Sequence, residues 1–258
     1  MTRLFGMVLL ACALGTVGAG PAVAADGRLY EMRVYFAAEG KLDALHARFR
    51  DHTVGLFAKH GMTNVGYFVP AGDNPERMLV YFLSFPDRAA RDASFKAFVA
   101  DPAWEAARSA SEKDGKIVER IESKFLATTD YSPPLVVPEA QGPRVFELRT
   151  YRATPGNLPA LNARFRDHTM KLFAKHGMTN LVYWNIAPGN PHADTFLIYL
   201  LAHQSEDAAK GSFGAFRQDP DWVAARTASE EKAGGSLTQA KDGVVSQFLV
   251  PTDYSPLK

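Results

Sequence analysis

The side chains best equipped for chemistry come in two matching sets. Glu31, Arg33 and Tyr35 alternate along one segment, and Glu147, Arg149 and Tyr151 repeat the pattern further along the chain. At a spacing of two, three such residues share one face of a strand. A carboxylate, a guanidinium and a phenol in an enclosed space could bind an acidic or hydroxylated ligand, with Glu or Tyr available for proton transfer. The same Glu and Arg could instead pair with each other and with cross-strand partners, holding register and nothing more. His52 and His168, each preceded by an aspartate, form the other set. Each is open to two roles: a cavity-facing base or single haem ligand, or a histidine hydrogen-bonded beneath a sheet. Adjacent helical residues point about 100° apart, so Asp51 does not orient His52. His60 and His176 suit the last carbonyls and the negative end of a helix.

Several chemistries lack their residues. His52 and His60 are about 12 Å apart along a helix, too far for one ion. No His-x-x-x-His pair or carboxylate cluster has ligand spacing, and nucleophile-elbow and phosphate-loop patterns are missing, so no metal is expected. Cys12 is the only cysteine. It falls in a segment, 1–25, that reads as a signal peptide: one charge at Arg3, an apolar run, and a small-residue end at Ala22-Val23-Ala24. The expected location is therefore periplasmic or secreted, and the chain left after cleavage has no thiol chemistry. Leu9-Leu10-Ala11-Cys12 offers the alternative of a lipoprotein acylated at Cys12. Losing Arg3 takes the formal charge from +1 to zero, and no basic stripe remains for nucleic acid. No later run reaches the roughly 20 apolar residues of a membrane span.

The elements that must position these residues occur twice. Arg48 to Asn64 and Arg164 to Asn180 are the same seventeen letters except that Val54-Gly55 becomes Met170-Lys171. The repeat extends through Asp101-Pro102-Ala103-Trp104 and Asp219-Pro220-Asp221-Trp222 to a closing Thr-Asp-Tyr-Ser-Pro at 129–133 and 252–256. This gives two domains, 26–132 and 144–258, joined by a proline-rich linker at 133–143. In the first, period-two alternation predicts a strand over 30–36, and period 3.6 a helix over 41–60 ended by Gly61. Strands follow at 65–69 and 78–84, helices at 88–99 and 104–113, and a strand at 117–126. Each copy is thus an α+β unit with ferredoxin-like βαββαβ order. Leu79 to Leu83 is apolar on both faces of its strand, so the face away from the helices also needs cover. Leaving it wet would forfeit about 1.5–3 kcal/mol per large side chain. The other copy is the natural cover, making an intrachain pseudo-dimeric α+β barrel in which fusion replaces association; a further homo-oligomer stays open. If the Tyr30/Met32/Val34/Phe36 face meets the helices, Glu31, Arg33 and Tyr35 point between the sheets. Arg50-Asp51 and Arg166-Asp167 should point away from the helix's own sheet, toward solvent, the other half or another chain. Trp104 and Trp222 should seat the second helix.

These motifs together resemble the NIPSNAP family: the Glu31-x-Arg33-x-Tyr35 strand, the Arg50-Asp51-His52-Thr53 helix ending in Lys59-His60-Gly61-Met62, and the Asp-Pro-x-Trp turn. The resemblance covers 28–133 and 144–256. It implies the dimeric α+β barrel fold. Bacterial members mostly lack an assigned activity, mitochondrial relatives are linked to protein interactions, and superfamily neighbours include cofactor-free monooxygenases, isomerases and haem enzymes. Two functions follow. One is binding or cofactor-free conversion of a small organic ligand between the sheets, at Glu31, Arg33, Tyr35, His52 and their counterparts Glu147, Arg149, Tyr151 and His168. The other is a non-enzymatic interaction module whose outer face recognises a partner. No cofactor is expected in either, haem being the alternative.

Overall fold

The computed structural model describes residues 26–136 and 144–258. The expected leader, with Cys12, and most of the expected linker lie outside the described residues. The first half runs β1 (Leu29–Ala37), α1 (Leu42–Arg48), a π-helical turn (Phe49–Thr53), α2 (Val54–Lys59), β2 (Thr63–Pro70), β3 (Met78–Phe85), α3 (Arg88–Val99), α4 (Pro102–Ser111) and β4 (Val118–Thr128). The second repeats it: β5 (Val145–Arg152), α5 (Leu158–Arg164), a π-helical turn (Phe165–Thr169), α6 (Met170–Lys175), β6 (Thr179–Ile186), β7 (Phe196–His203), α7 (Glu206–Gln218), α8 (Pro220–Ala233) and β8 (Val244–Pro251).

Local chemistry sets the helix ends. Asp87 and Ser205 accept from the N–H groups of Ala90 and Ala208 and so cap α3 and α7. Asp101 and Asp219 cap α4 and α8, with Pro102 and Pro220 in the first turn where no N–H is needed. Gly61 and Gly177 follow α2 and α6 at φ of 76° and 77°, a conformation costly to other residues. The 41–60 region is not one uninterrupted α-helix. Thr53 donates its hydroxyl proton to the carbonyl of Arg48, five residues back, and Asn64 donates to the Val54 carbonyl. Thr169 and Asn180 do the same to Arg164 and Met170. These side-chain bonds accompany a π turn in each half.

The eight strands close into a barrel in the order β1-β3-β2-β8-β5-β7-β6-β4. Each half contributes four neighbouring strands, and the two seams, β2 with β8 and β4 with β6, join the halves. Leu79, Tyr81 and Leu83 of β3 pack beneath the helices, while Val80 and Phe82 turn into the barrel. All five are 0–1% exposed, so this strand is dry on both faces, as its sequence demanded. The barrel interior is filled by side chains from both halves. Phe82 stacks on Trp184 at 5.2 Å and 11°, and Phe68 meets Phe146 at 5.1 Å.

A reciprocal clasp reinforces the pairing. The segment after β8 crosses to the first half, where Tyr254 Oη lies 2.8 Å from His46 Nδ1 and Asp253 takes a two-pronged ion pair from Arg50. The segment after β4 returns the exchange: Tyr131 donates to Asn162, and Asp130 accepts from Arg166. The repeated arginines therefore contact the other half of the same chain. Because these pairs are exposed, they fix geometry more than they add stability.

Candidate functional site

Tyr30, Met32 and Val34 face the barrel interior, so Glu31, Arg33 and Tyr35 turn toward the helices rather than between the sheets. The expected orientation is corrected, and the physical reason is shape. Beneath the helices a second basic side chain reaches each glutamate, Arg91 from α3 and His203 from the end of β7, whereas the interior is closed by packed aromatics. Glu31 is fully buried and accepts from Arg33 at 2.6 Å, from Arg91 of α3 at 2.8 and 2.9 Å, and from Ser123 of β4 at 2.7 Å. Glu147 accepts from Arg149 at 2.5 Å and Ser246 at 2.5 Å, and lies 3.0 Å from His203 Nε2. The two halves solve one problem differently. His203 aligns with Phe85, and Ala209 with Arg91, both 118 positions apart. Where the helix gives up its arginine, the strand gains a histidine, and each buried carboxylate keeps a basic second partner.

Burial alone would push the Glu31 carboxyl up, but hydrogen bonding from Arg91, the charge of Arg33 and the Ser123 hydroxyl outweigh it and hold the group below its ordinary value. For Glu147, burial is likewise outweighed, by His203, Arg149 and Ser246. Both carboxylates are ionised and saturated with donors. Beside them, the phenols of Tyr81 and Tyr199 are pushed well up by burial and find no hydrogen-bond partner among the described residues. Arg33 and Arg149 each donate to the phenol of the next-but-one tyrosine, Tyr35 and Tyr151.

His52 and His168 sit in the π turns with exposed side chains, on the outside of the helix layer. Neither lies beneath a sheet. His60 and His176 instead approach the capping carboxylates of Asp101 and Asp219 at 2.7 Å. Lys59 joins the first and Lys175 the second, and these contacts hold both aspartates well below the usual carboxylate range. Trp104 and Trp222 seat α4 and α8, packing on Phe98 at 4.4 Å and Phe216 at 4.5 Å. Among the described residues, no group of three or more His, Cys, Asp or Glu could hold a metal ion, and no helix is long and apolar enough to cross a membrane.

His168 is brought to a groove of about 940 Å³ between the α5–α6 segment and α8. Ala160, Ala163, Leu172, Ala224, Ala225 and Ala228 give it an apolar lining, Lys171, Lys175 and Lys232 supply cations, and Asp167 and Asp221 supply carboxylates. Lys175 is engaged by Asp219 and Asp221, whereas Lys171 and Lys232 make no ion pair among the described residues. Arg164 is held by Glu230 and lies over Trp222. Lys171 is one of the two letters at which the seventeen-residue repeat differs, and its counterpart is Gly55. Lys232 lies in the extra turn by which α8 outlasts α4. That break in the repeat was the available sequence signal for the groove, and only the placement of α8 gives it meaning. A haem on His52 would lie in solvent, and one on His168 would meet alanines and lysines rather than the large apolar side chains that bury a macrocycle. The residues present do not fit a haem site.

Two four-stranded layers closed into one barrel and backed by helices define an α+β barrel protein of the kind otherwise built by pairing two chains. Solved structures share this fold: a proposed monooxygenase from Lactobacillus acidophilus, with TM-score 0.53 and 12% identity over 87% of this chain and 94% of its own, is one. Another, from Fusobacterium nucleatum, has TM-score 0.52 and 12% identity over 90% and 93%. The NIPSNAP family model matches residues 30–133 and again 146–256, so the chain belongs to the NIPSNAP family. A NIPSNAP domain protein from Burkholderia xenovorans is 24% identical over 41% of this chain and 98% of its own, at TM-score 0.35. No curated protein matches.

Proposed function

We propose that this protein binds a small organic anion with an apolar body, seated in the groove between the α5–α6 segment and α8. The observation that carries the reading is the joining, in one groove, of an alanine and leucine lining with two cations that have no carboxylate partner among the described residues. Ligand sites combine that kind of apolar enclosure with a few fixed polar groups. The site differs from the inter-sheet one expected from the Glu-Arg-Tyr pattern, because those carboxylates are already saturated. Conversion of the ligand without a cofactor would fall to His168, whose imidazole lines the groove. We read the halves as two ferredoxin-like units whose fusion freed one copy to diverge, and the expected leader puts the ligand outside the cytoplasm. The monooxygenase names of the fold neighbours are not carried over, since at 12% identity they speak to fold alone.

The interaction-module reading rests on the repeated Arg-Asp-His helix and on the missing catalytic signatures; of that helix face, Arg50 and Arg166 pair within the chain. The test is native mass spectrometry of protein isolated from its own host, with dodecanoate as a defined probe. Wild type should retain a ligand or take up one equivalent of dodecanoate. Lys171→Glu with Lys232→Glu should lose it, by about tenfold or more in affinity if both cations contact the carboxylate. Unchanged binding by the folded double variant would refute the site.

A further inference from the structure

Where β4 meets β6 lies a second cavity, of about 440 Å³, lined by Glu122, Ser123, Lys124, Phe125, Ile186, Pro191, His192 and Phe196. Lys124 stands opposite Met32 in the β1–β4 ladder and two residues before Leu126, which packs in the barrel core, so its stem shares the inner face. Its ammonium has no hydrogen bond or ion pair among the described residues. The nearby carboxylate of Glu122 is taken by Arg120. Burial depresses the Lys124 amine below its ordinary value of 10.5. That enlarges the neutral, nucleophilic fraction at neutral pH.

The pseudo-symmetry of the chain argues against a packing role. At the equivalent seam, β8 with β2, Gln247 stands in place of Lys124 and Val245 in place of Glu122. His192 belongs to a turn two residues longer in the second half, and it adopts φ 66°, a left-handed conformation unfavourable for a residue with a Cβ. The turn holds it there through the Thr195 N–H bond to the His192 carbonyl, with the imidazole edge-on to Phe196 at 5.9 Å. Two groups of use to nucleophilic attack or proton transfer, Lys124 and His192, thus stand at this seam and have no counterpart at the other.

We infer that Lys124 is a nucleophilic amine and that its cavity takes a small apolar aldehyde or ketone as an imine. The neutral nitrogen attacks the carbonyl carbon, forming the C–N bond while the carbonyl π electrons move to oxygen, which takes a proton. The nitrogen gives up a proton, and His192 is the group on the cavity wall able to carry it. The carbinolamine hydroxyl takes a second proton and leaves as water while the nitrogen lone pair forms the C=N bond, and the resulting iminium releases its N–H proton to give the imine. No oxidant or reductant takes part. Ile186, Pro191, Phe125 and Phe196 supply the apolar walls that favour the uncharged body of such a compound. This site is separate from the groove and does not depend on it.

The test is reductive trapping. The full chain is treated with limiting benzaldehyde and cyanoborohydride at neutral pH, and the benzylated lysines are mapped and timed by peptide mass spectrometry. Lys124 is expected to label measurably faster than exposed lysines without an ion pair among the described residues, such as Lys113 and Lys171. Lys124→Arg, which keeps the long stem and the charge but not the nucleophile, should remove this fast phase alone. Transplanting the amine by Gln247→Lys should not restore it, because the other mouth has neither the longer turn nor His192. Labelling of Lys124 no faster than that of the exposed lysines overturns the inference, as does a fast phase surviving in Lys124→Arg.

Discussion

Trp184 tests whether the halves share one core. It projects from the second half into the barrel with no exposure, against Phe82 at 5.2 Å and Tyr30 at 5.6 Å, both from the first half. Burying an aromatic of this size removes about 200 Å² from water, about 5 kcal/mol at 25 cal/mol per Å². Against this, its indole N–H finds no acceptor among the described residues, a penalty of about 1–3 kcal/mol that truncation would remove. Trp184→Ala should therefore destabilise by about 3 kcal/mol, near the low end for such truncations. Trp184→Phe, which sheds the N–H and keeps a ring, should cost about 1 kcal/mol. Combined with Phe82→Ala, the losses should fall short of additivity by about 0.5–1.5 kcal/mol, the worth of an aromatic pair. The chain has three tryptophans, and Trp104 and Trp222 lie one in each half. In the Trp184→Ala background, replacing either of these by Phe leaves a single fluorescent reporter of one half. Urea unfolding followed by each reporter should give one shared midpoint. Two separated midpoints, with only the second half weakened, would refute the claim that neither half keeps its sheet dry alone.

His203→Phe should strip Glu147 of a partner and cost about 2–3 kcal/mol in urea melts, while His203→Phe with Ala209→Arg, the first half's arrangement, should recover most of it. No recovery would mean that the two networks are not interchangeable. Asp101 and Asp219 are held below the ordinary aspartate value of 3.8, so their contribution is fully present above that pH and is lost as pH falls below it toward their folded-state values. Asp101→Asn with Asp219→Asn, which retains a capping oxygen, should flatten the acid side of the urea midpoint against pH; an unchanged slope would place the acid sensitivity elsewhere.

The residues show which parts of this outcome were legible. Duplication, the strand and helix sequence, the capping aspartates and Gly61 were all local signals, because backbone preference and side-chain period act over a few residues. The two-sided apolar run at Leu79 to Leu83 went further and required a second cover. The π turns were not legible, since an apolar stripe marks a helix but not a one-residue shift in its hydrogen-bond ladder. The face taken by Glu31, Arg33 and Tyr35 was also undecided by periodicity. Alternation says which residues travel together, not which side meets the helices.

The chain's order of letters thus determined that there are two like halves, what each is made of, and that neither can stand with its sheet exposed. Tertiary structure decided the rest. It put the charged triads under the helices, where Arg91 and His203 supply further hydrogen-bond partners to their carboxylates, and sent each closing Thr-Asp-Tyr-Ser segment across to the other half. It also gathered Lys171 with Lys232, and Lys124 with His192, from segments far apart in the chain. Burial and charge compensation are settled by what lies across a space, and no local pattern carries that information.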